Sequence, residues 1–233
     1  MKIDYALVGS TENPFYLEFW PVISRVWREV FGIIPVLGLI TNEDSELYDD
    51  GNGLVIKIKS SHGQDLALSS QIVRMYISKF LDGNCIISDI DMIPTSKPYF
   101  ITQFEEFSDD DVLVLSSHHP QTSGLPQYPM CYVVGSSKKL SEIFKSNVSW
   151  DEFYWSTPKD GWSTDQTYLF RCIQEYGVDK VKFPYRSFNG DRIDRNAWGY
   201  DINKLKNGEY IDSHLLRPYS QYKEHIDNLI LQL

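Results

Sequence analysis

The chain has 233 residues, of which 42% are hydrophobic and 14% aromatic, so it is long and apolar enough to form one folded domain with a full-sized core. Its formal net charge of −10 argues against nucleic acid or an anionic membrane as a partner, because both require a basic surface. Cys85, Cys131 and Cys172 lie inside apolar runs without paired spacings, which predicts buried thiols in a reducing compartment rather than disulfides or a zinc site.

The sequence shows no signal-peptide pattern and no run that spans a bilayer. Its most apolar run, residues 31–40, is too short and too interrupted by glycine and proline for that purpose. We therefore expect a soluble, cytoplasmic protein without a transmembrane segment. Its apolar and abrupt end leaves open that the chain is one domain of a longer protein.

Apolar residues and turn formers alternate along the first part of the chain in a pattern typical of α/β domains. In chain order the pattern predicts a strand over 2–9, a turn over 9–14, a helix over 19–30, a strand over 33–40, an acidic turn-rich segment over 41–53, a strand over 54–59 and a helix over 66–81. Strands separated by helices or loops imply a mostly parallel sheet.

The second part of the chain continues the alternation less regularly. The pattern predicts a strand over 112–115, a long loop over 116–129, a strand over 130–135, a short helix ending at 144, a helix over 164–176, a strand over 181–184 and a final helix over 222–231. Ser136 and Ser137 are expected to cap the short helix. The three aspartates at 109–111 are assigned to a solvated loop without chemistry.

The stretch from Asn84 to Pro94 is a short apolar strand that carries Asp89 and Asp91 at its carboxyl end. Residues two apart on a strand point the same way, so the two carboxylates can share one partner while Ile90 faces the core. Two like charges this close need a proton or a cation, and Mg²⁺ or Mn²⁺ completed by phosphate oxygens meets that need. The alternative is that both aspartates merely end a strand as loop residues.

This strand, ending in Ser88-Asp89-Ile90-Asp91 and followed by Pro94, resembles the DxD motif of GT-A-fold nucleotide-sugar glycosyltransferases. The resemblance implies a single GT-A-like, Rossmann-like α/β domain over residues 1–233, with a mostly parallel mixed sheet flanked by helices. It also implies a metal-dependent hexosyltransferase with Mn²⁺ or Mg²⁺ as cofactor. The donor is a nucleotide sugar, UDP-hexose favoured, and the acceptor is a hydroxyl of a glycan or glycoconjugate. Inversion is the expected stereochemical outcome.

The resemblance also implies a set of donor-binding residues. They are Gly9, Ser10, Thr11, Arg74, Ser88, Asp89, Ile90 and Arg217. For the turn at residues 9–11, an ordinary β-to-α turn is the alternative. Arg74 lies on the side of its predicted helix that points away from the core, so its guanidinium either binds the donor phosphates or is a solvated surface charge.

Metal ligands are implied in the same way. Asp91 is expected to ligate the ion directly, Asp89 to reach the ribose or the ion, and His214 to supply a late ligand, because imidazole is compatible with Mn²⁺. Arg217 and Tyr219 are near enough in sequence to His214 to cover the diphosphate. A structural histidine is the alternative.

Asp165 is the expected general base, since similar enzymes place an acid at the start of the helix that follows the acceptor-floor strand. The alternative is a helix-capping role, because Ser163 and Gln166 fit a capping box and an aspartate in the first turn favours the helix dipole. If the transfer instead retains the configuration of the sugar, Asp165 is expected to bind the donor. Asp191 or Asp194 is the next candidate base.

Acceptor contacts are predicted in two segments. His118 and His119 either contact an acceptor sugar or lie on plain surface. An aromatic cluster either stacks on sugar rings or packs in the core; its members are Trp150, Phe153, Tyr154, Trp155 and Trp162.

Two other classes of protein remain open. A phosphohydrolase of the HAD type also carries two aspartates after an apolar strand, although usually near its amino terminus. A non-catalytic carbohydrate-binding module also uses tryptophans and a structural ion.

Overall fold

The computed structural model describes residues 1–115, 125–184 and 192–233. Within these ranges the strands are β1 Tyr5–Thr11, β2 Ile34–Thr41, β3 Glu46–Asp49, β4 Leu54–Lys59, β5 Asn84–Ile87, β6 Met92–Pro94, β7 Leu113–Val114, β8 Val133–Ser136, β9 Arg192–Asp194 and β10 Asp212–His214. The α-helices are α1 Pro14–Leu17, α2 Trp20–Arg25, α3 Leu66–Tyr76, α4 Lys97–Phe100, α5 Ser137–Ile143, α6 Trp150–Ser156, α7 Thr164–Tyr176, α8 Ile202–Lys206 and α9 Tyr219–Ile230.

The large sheet has seven strands in the order β3-β4-β2-β1-β5-β8-β7. The four adjacent strands β4, β2, β1 and β5 are parallel to one another, whereas β3, β8 and β7 join by antiparallel pairing. The α/β fold class with a mixed sheet flanked by helices is therefore confirmed. Parallel pairing is confined to the central four strands, so the sheet is less parallel than expected.

Two apolar layers cover the two faces of this sheet. Ala6 and Val8 of β1 pack into one layer, and Leu7 between them packs into the other. This alternation follows from the pleat, which sends successive side chains to opposite faces. Because both faces are buried, β2 is a nearly continuous apolar run rather than an alternating one.

A second, three-stranded sheet has the order β6-β10-β9 and was not predicted. β10 pairs antiparallel with β6 and parallel with β9. The register sets His214 beside both Met92 and Asp194. This small sheet therefore brings three segments that are far apart in sequence to one place, next to the turn that carries Asp91.

Most other differences from the predicted elements concern their ends. β4 and α7 begin and end as predicted. The helix predicted over 19–30 is instead α2 followed by a π-helical turn over Val26–Val30. The acidic segment over 41–53 contains the charged edge strand β3, and the strand predicted over 181–184 is reduced to a bridge between Leu113 and Lys182. In the described part of the chain, no helix has the length and apolar character needed to cross a membrane.

Candidate active site

The predicted DxD motif lies on a turn between two strands rather than on a strand. β5 ends at Ile87, and the N–H of Met92 donates to the carbonyl oxygen of Asp89 at 3.2 Å. Ile90 is buried in the core, as predicted. Because the chain turns here, Asp89 pairs with Arg74 and Asp91 with Arg195, while a metal ion shared by the two carboxylates stays a prediction.

Asp89 is held by two groups on the floor of a cavity. Its Oδ1 atom accepts a hydrogen bond from Arg74, and its Oδ2 atom accepts one from the Cys131 thiol at 2.9 Å. Burial raises the pKa of this carboxyl, but the charge of Arg74 outweighs that effect and leaves the pKa below its usual value. Asp89 is therefore ionised at neutral pH, and both of its oxygens already have donors.

Arg74 joins the motif to the predicted base. Its guanidinium donates to Asp89, to the carbonyl oxygen of Ser88 at 2.9 Å and to Asp165 Oδ2 at 2.5 Å. Arg74 is only 5% exposed and lies on the cavity wall, so of its two alternatives the solvated surface charge is wrong. Arg74 stays positively charged in this buried position because two carboxylates compensate its charge. Together they raise the pKa of Arg74, although burial alone lowers it.

Asp165 lies in the first turn of α7, on the floor of the same cavity. It is buried, and its Oδ1 atom accepts from the N–H of Gln166 at 2.9 Å. The capping box expected from Ser163 and Gln166 does not form, because the Ser163 side chain makes no capping hydrogen bond. Burial raises the pKa of Asp165 more than Arg74 lowers it, so this carboxylate is more basic than an ordinary aspartate.

Asp91 faces a separate group of cations supplied by the small sheet and the loop that follows it. Its Oδ2 atom lies 2.6 Å from Arg195 Nη1, 3.4 Å from His214 Nε2 and 3.6 Å from Arg217 Nη1. Burial alone raises the pKa of Asp91, but these partners lower it to about 2. Asp91 is a fixed negative charge at any physiological pH.

His214 lies between two carboxylates. Its Nε2 atom faces Asp91, and its Nδ1 atom is 3.5 Å from Asp194 Oδ2. Both ring nitrogens therefore face a carboxylate, and for Nε2 to bind a cation through its electron pair the ring proton must lie on Nδ1, where Asp194 can accept it. Asp194 thus orients the imidazole toward the cavity.

Asp91 and His214 fit a divalent ion as two of its ligands. Neighbouring ligands of an octahedral ion with bonds of about 2.1 Å lie about 3 Å apart, close to the 3.4 Å between His214 Nε2 and Asp91 Oδ2. No cluster of three or more histidine, cysteine, aspartate or glutamate residues in the described ranges is arranged to hold an ion by itself. An ion held by these two side chains would need phosphate oxygens and water as its other ligands, which is how Mg²⁺ is usually bound beside a nucleotide.

The carboxyl end of β1 forms another part of the cavity wall through Gly9, Ser10 and Thr11, so the strand extends two residues into the predicted turn. A Cβ atom on Gly9 would lie 2.3 Å from the carbonyl oxygen of Ser70, so the glycine is required for the close approach of α3 to β1. Asn13 caps α1 by accepting from the N–H of Phe15 at 3.0 Å. Gly9 therefore has a packing role within β1, and the β-to-α connection is the short segment between Thr11 and Pro14.

Arg217 lines the same cavity and contacts α1, the helix that follows β1. Its Nη1 atom donates to the Tyr16 hydroxyl at 2.8 Å, and its guanidinium lies over the Tyr16 ring at 5.2 Å. Tyr219 does not share this position. Its ring packs against Phe19 and its hydroxyl donates to Asp227, so the prediction that it covers a diphosphate is wrong.

The aromatic cluster divides between core and surface. Trp150, Phe153 and Tyr154 are buried in the layer under α3. Trp155 and Trp162 are exposed, at 57% and 73%, and of these two Trp162 lines the cavity. The sugar-platform interpretation therefore survives for Trp162 alone.

The cavity has a volume of about 500 Å³ and collects most of the predicted site residues. Those on its wall are Gly9, Ser10, Thr11, Arg74, Asp89, Ile90, Asp91, Asp165, His214 and Arg217. Ser88 is fully buried behind the wall and contributes its carbonyl oxygen to Arg74. His118, His119 and Asp191 lie outside the described residues.

Several residues of the cavity were missed from the sequence. Arg195 pairs with Asp91, Cys131 donates to Asp89, and Tyr16 accepts from Arg217. Arg192 also faces the cavity and forms a two-pronged ion pair with Asp212 inside the small sheet. The sequence signal that could have revealed Arg192 and Arg195 is the charged run at 191–195, where two acids and two bases surround one isoleucine in an otherwise irregular region.

Comparison with known proteins supports the fold. No protein-family model matches the chain, and no curated protein matches it by sequence. Among solved structures, it resembles the crystal structure of a glycosyltransferase involved in the glycosylation of the major capsid of PBCV-1. The TM-score is 0.50 at 9% sequence identity, and the match covers 97% of this chain and 99% of the other. The comparison thus establishes that the chain has the α/β fold of a known glycosyltransferase over nearly its whole length.

Proposed function

We propose that this protein is a glycosyltransferase that moves a hexose from a nucleotide sugar, UDP-hexose favoured, to a hydroxyl of a glycan or glycoconjugate. The observation that carries the proposal is the charge of the cavity. In a chain with a formal net charge of −10, four arginines and three aspartates line one cavity at the carboxyl ends of parallel strands. Open α/β sheets bind ligands at such edges, and the guanidinium group matches phosphate oxygens.

In this proposal the diphosphate of the donor lies beside Asp91, His214, Arg195 and Arg217. Asp91 and His214 hold Mn²⁺ or Mg²⁺, and Asp194 keeps the His214 ring turned toward it. When bound, the ion supplies positive charge to the diphosphate and favours its departure. Arg195 and Arg217 both contact the Asp91 carboxylate, so they are in place to turn toward the phosphates.

Asp165 acts as the general base in an inverting transfer. One of its oxygens takes the proton of the acceptor hydroxyl as the hydroxyl oxygen forms a bond to the anomeric carbon. The bond between that carbon and the phosphate oxygen breaks, and its electron pair leaves with the nucleoside diphosphate. Arg74 holds the Asp165 carboxylate in position, and burial supports the reaction by keeping the carboxylate more basic than usual.

The test is a donor panel. The protein is incubated with Mn²⁺ and UDP- or GDP-sugars, and release of the nucleoside diphosphate is measured with and without added saccharides. We expect release from at least one donor, increased by an acceptor and abolished by EDTA. Phosphate release from phosphomonoesters without release from any donor supports the HAD-type alternative and refutes the proposal.

A further inference from the structure

Beyond the donor site, one end of the cavity is built from three uncharged segments that touch each other. α3 contributes Leu66, Ala67, Ser70 and Gln71; the segment before β8 contributes Gln127, Pro129 and Met130; and the start of α7 contributes Trp162 and Gln166. The Gln71 side chain donates to the Trp162 carbonyl oxygen at 3.2 Å, and the Tyr128 N–H donates to the Gln166 carbonyl oxygen at 3.3 Å. None of the nine wall residues carries a charge.

A different part of the cavity wall carries the charges that suit a diphosphate. Arg195, His214 and Arg217 meet around Asp91, and Arg217 also donates to the hydroxyl of Tyr16 in α1. The cavity is therefore divided into an ionic end and an amide-and-apolar end.

Trp162 has the properties of a ligand platform. It is 73% exposed although it is on the cavity wall, which leaves a large apolar ring in water until something covers it. Its turn is fixed, because Gly161 has a φ of +83° and its carbonyl oxygen accepts from Thr164 Oγ1 at 2.8 Å. The exposed Trp155 differs, since it lies off the cavity wall and Tyr154 packs edge-on against it at 4.9 Å.

The chemistry of the uncharged end selects a neutral ligand. Side-chain amides such as those of Gln71 and Gln166 both donate and accept hydrogen bonds, as paired sugar hydroxyls require. Among the charged residues on the cavity wall, Asp165 follows Trp162 by three residues, and its partner Arg74 is buried and also pairs with Asp89. The one cation beside Asp165 on the described wall is therefore already shared by two carboxylates, and an anionic ligand is disfavoured by their like charge.

We infer that the Trp162 end of the cavity is a subsite for a neutral sugar ring, stacked on Trp162 and bonded through its hydroxyls to the glutamine amides. The inference rests on the proposed function in one respect, because it makes this ring the acceptor whose hydroxyl faces Asp165. It narrows the acceptor class to uncharged saccharides, and excludes sugar phosphates, uronic acids and lipid phosphates.

The experiment measures sugar binding without relying on transfer. Saturation-transfer NMR is recorded with a panel of neutral methyl hexopyranosides and pentopyranosides, and in parallel with glucose 6-phosphate and methyl glucuronide. The wild-type protein is compared with Trp162→Ala, Trp162→Phe and the control Trp155→Ala. We expect one or more neutral glycosides to bind, with affinity reduced about tenfold in Trp162→Ala, partly kept in Trp162→Phe and unchanged in Trp155→Ala. Matching thermal unfolding curves check that the variants are folded.

Calorimetric titration with Mn²⁺ and UDP separates failure of the inference from failure of the proposed function. If UDP binds, and no neutral glycoside binds or the binding is indifferent to Trp162, the inference is overturned and the proposed function stands. Tighter binding of the anionic sugars overturns it as well. If glycosides bind through Trp162 but neither UDP nor any nucleotide sugar binds, the subsite stands and the transferase proposal fails.

Discussion

The buried Arg74 makes a specific prediction about stability. Arg74→Met keeps most of the side-chain volume and removes the charge that compensates Asp89 and Asp165. The Asp89 side chain is 38% exposed and regains water, so we expect its lost ion pair to cost at most about 1 kcal/mol. The Asp165 side chain is 6% exposed, and an uncompensated charge at such a site costs about 3 to 5 kcal/mol. The variant should therefore lose about 3 to 5 kcal/mol of unfolding free energy at pH 7, mainly through Asp165.

The loss should also depend on pH. The pKa of Asp165 is raised in the wild-type fold, and removing Arg74 removes the group that opposes that rise. When the pKa of a carboxyl is higher in the folded than in the unfolded state, the folded state binds more protons at any pH between the two pKa values. Lowering the pH through this range therefore stabilises the folded state. The difference between the variant and the wild type should accordingly shrink from pH 7 toward pH 4.

Urea unfolding at several pH values, followed by circular dichroism, measures both effects. Arg171→Met is the matched control, because Arg171 pairs with Asp160 at 2.8 Å but its side chain is 50% exposed. The control should lose no more than about 1 kcal/mol. The double variant Arg74→Met with Asp165→Asn should recover much of the stability. A loss below about 1 kcal/mol in Arg74→Met, or a loss that is constant with pH, refutes this account.

The elements that the sequence predicts well are those held by local patterns. β4 and α7 have clear periodicity, and their boundaries are confirmed. Ile90 is buried as the alternation of its stretch requires. In each case residues within one helical turn or one pleat of each other determine the structure, so a short stretch of sequence is enough to predict it.

The parts that sequence reasoning missed depend on distant partners. Periodicity assigns a charged residue on a helix to solvent, but the partners of Arg74 lie 15 and 91 residues away and compensate its charge inside the fold. β9 and β10 have three residues each, too few for any period to be recognised. Their pairing is nevertheless what brings His214 and Arg195 to Asp91, so most of the geometry of the candidate site follows from contacts that no local pattern encodes.

Three further predictions concern the donor site, the packing of β1 against α3, and the base. Asp91→Ala should abolish Mn²⁺-dependent donor binding in calorimetry. His214→Ala should weaken that binding about tenfold or more, because losing even an outer-shell partner of a metal costs this much. Unchanged binding in His214→Ala removes His214 from the site. Gly9→Ala should destabilise the fold by about 1 to 3 kcal/mol in urea unfolding, because its Cβ atom overlaps the backbone of α3, whereas Gly199→Ala, with no neighbour within 4 Å, should change stability by less than about 0.5 kcal/mol. Asp165→Asn keeps the side-chain shape and can still accept from the N–H of the next residue, but it cannot take a proton. It should leave calorimetric donor binding intact and lower the rate of sugar transfer at least about a hundredfold, the lower limit for general-base catalysis. Because burial keeps the pKa of Asp165 above its usual value, the wild-type rate should fall as the pH drops through that raised pKa, and this acidic limb should be missing from the residual activity of Asp165→Asn. A variant that transfers sugar at nearly the wild-type rate, with the acidic limb preserved, assigns the base to another residue, and Asp194 is the next to test.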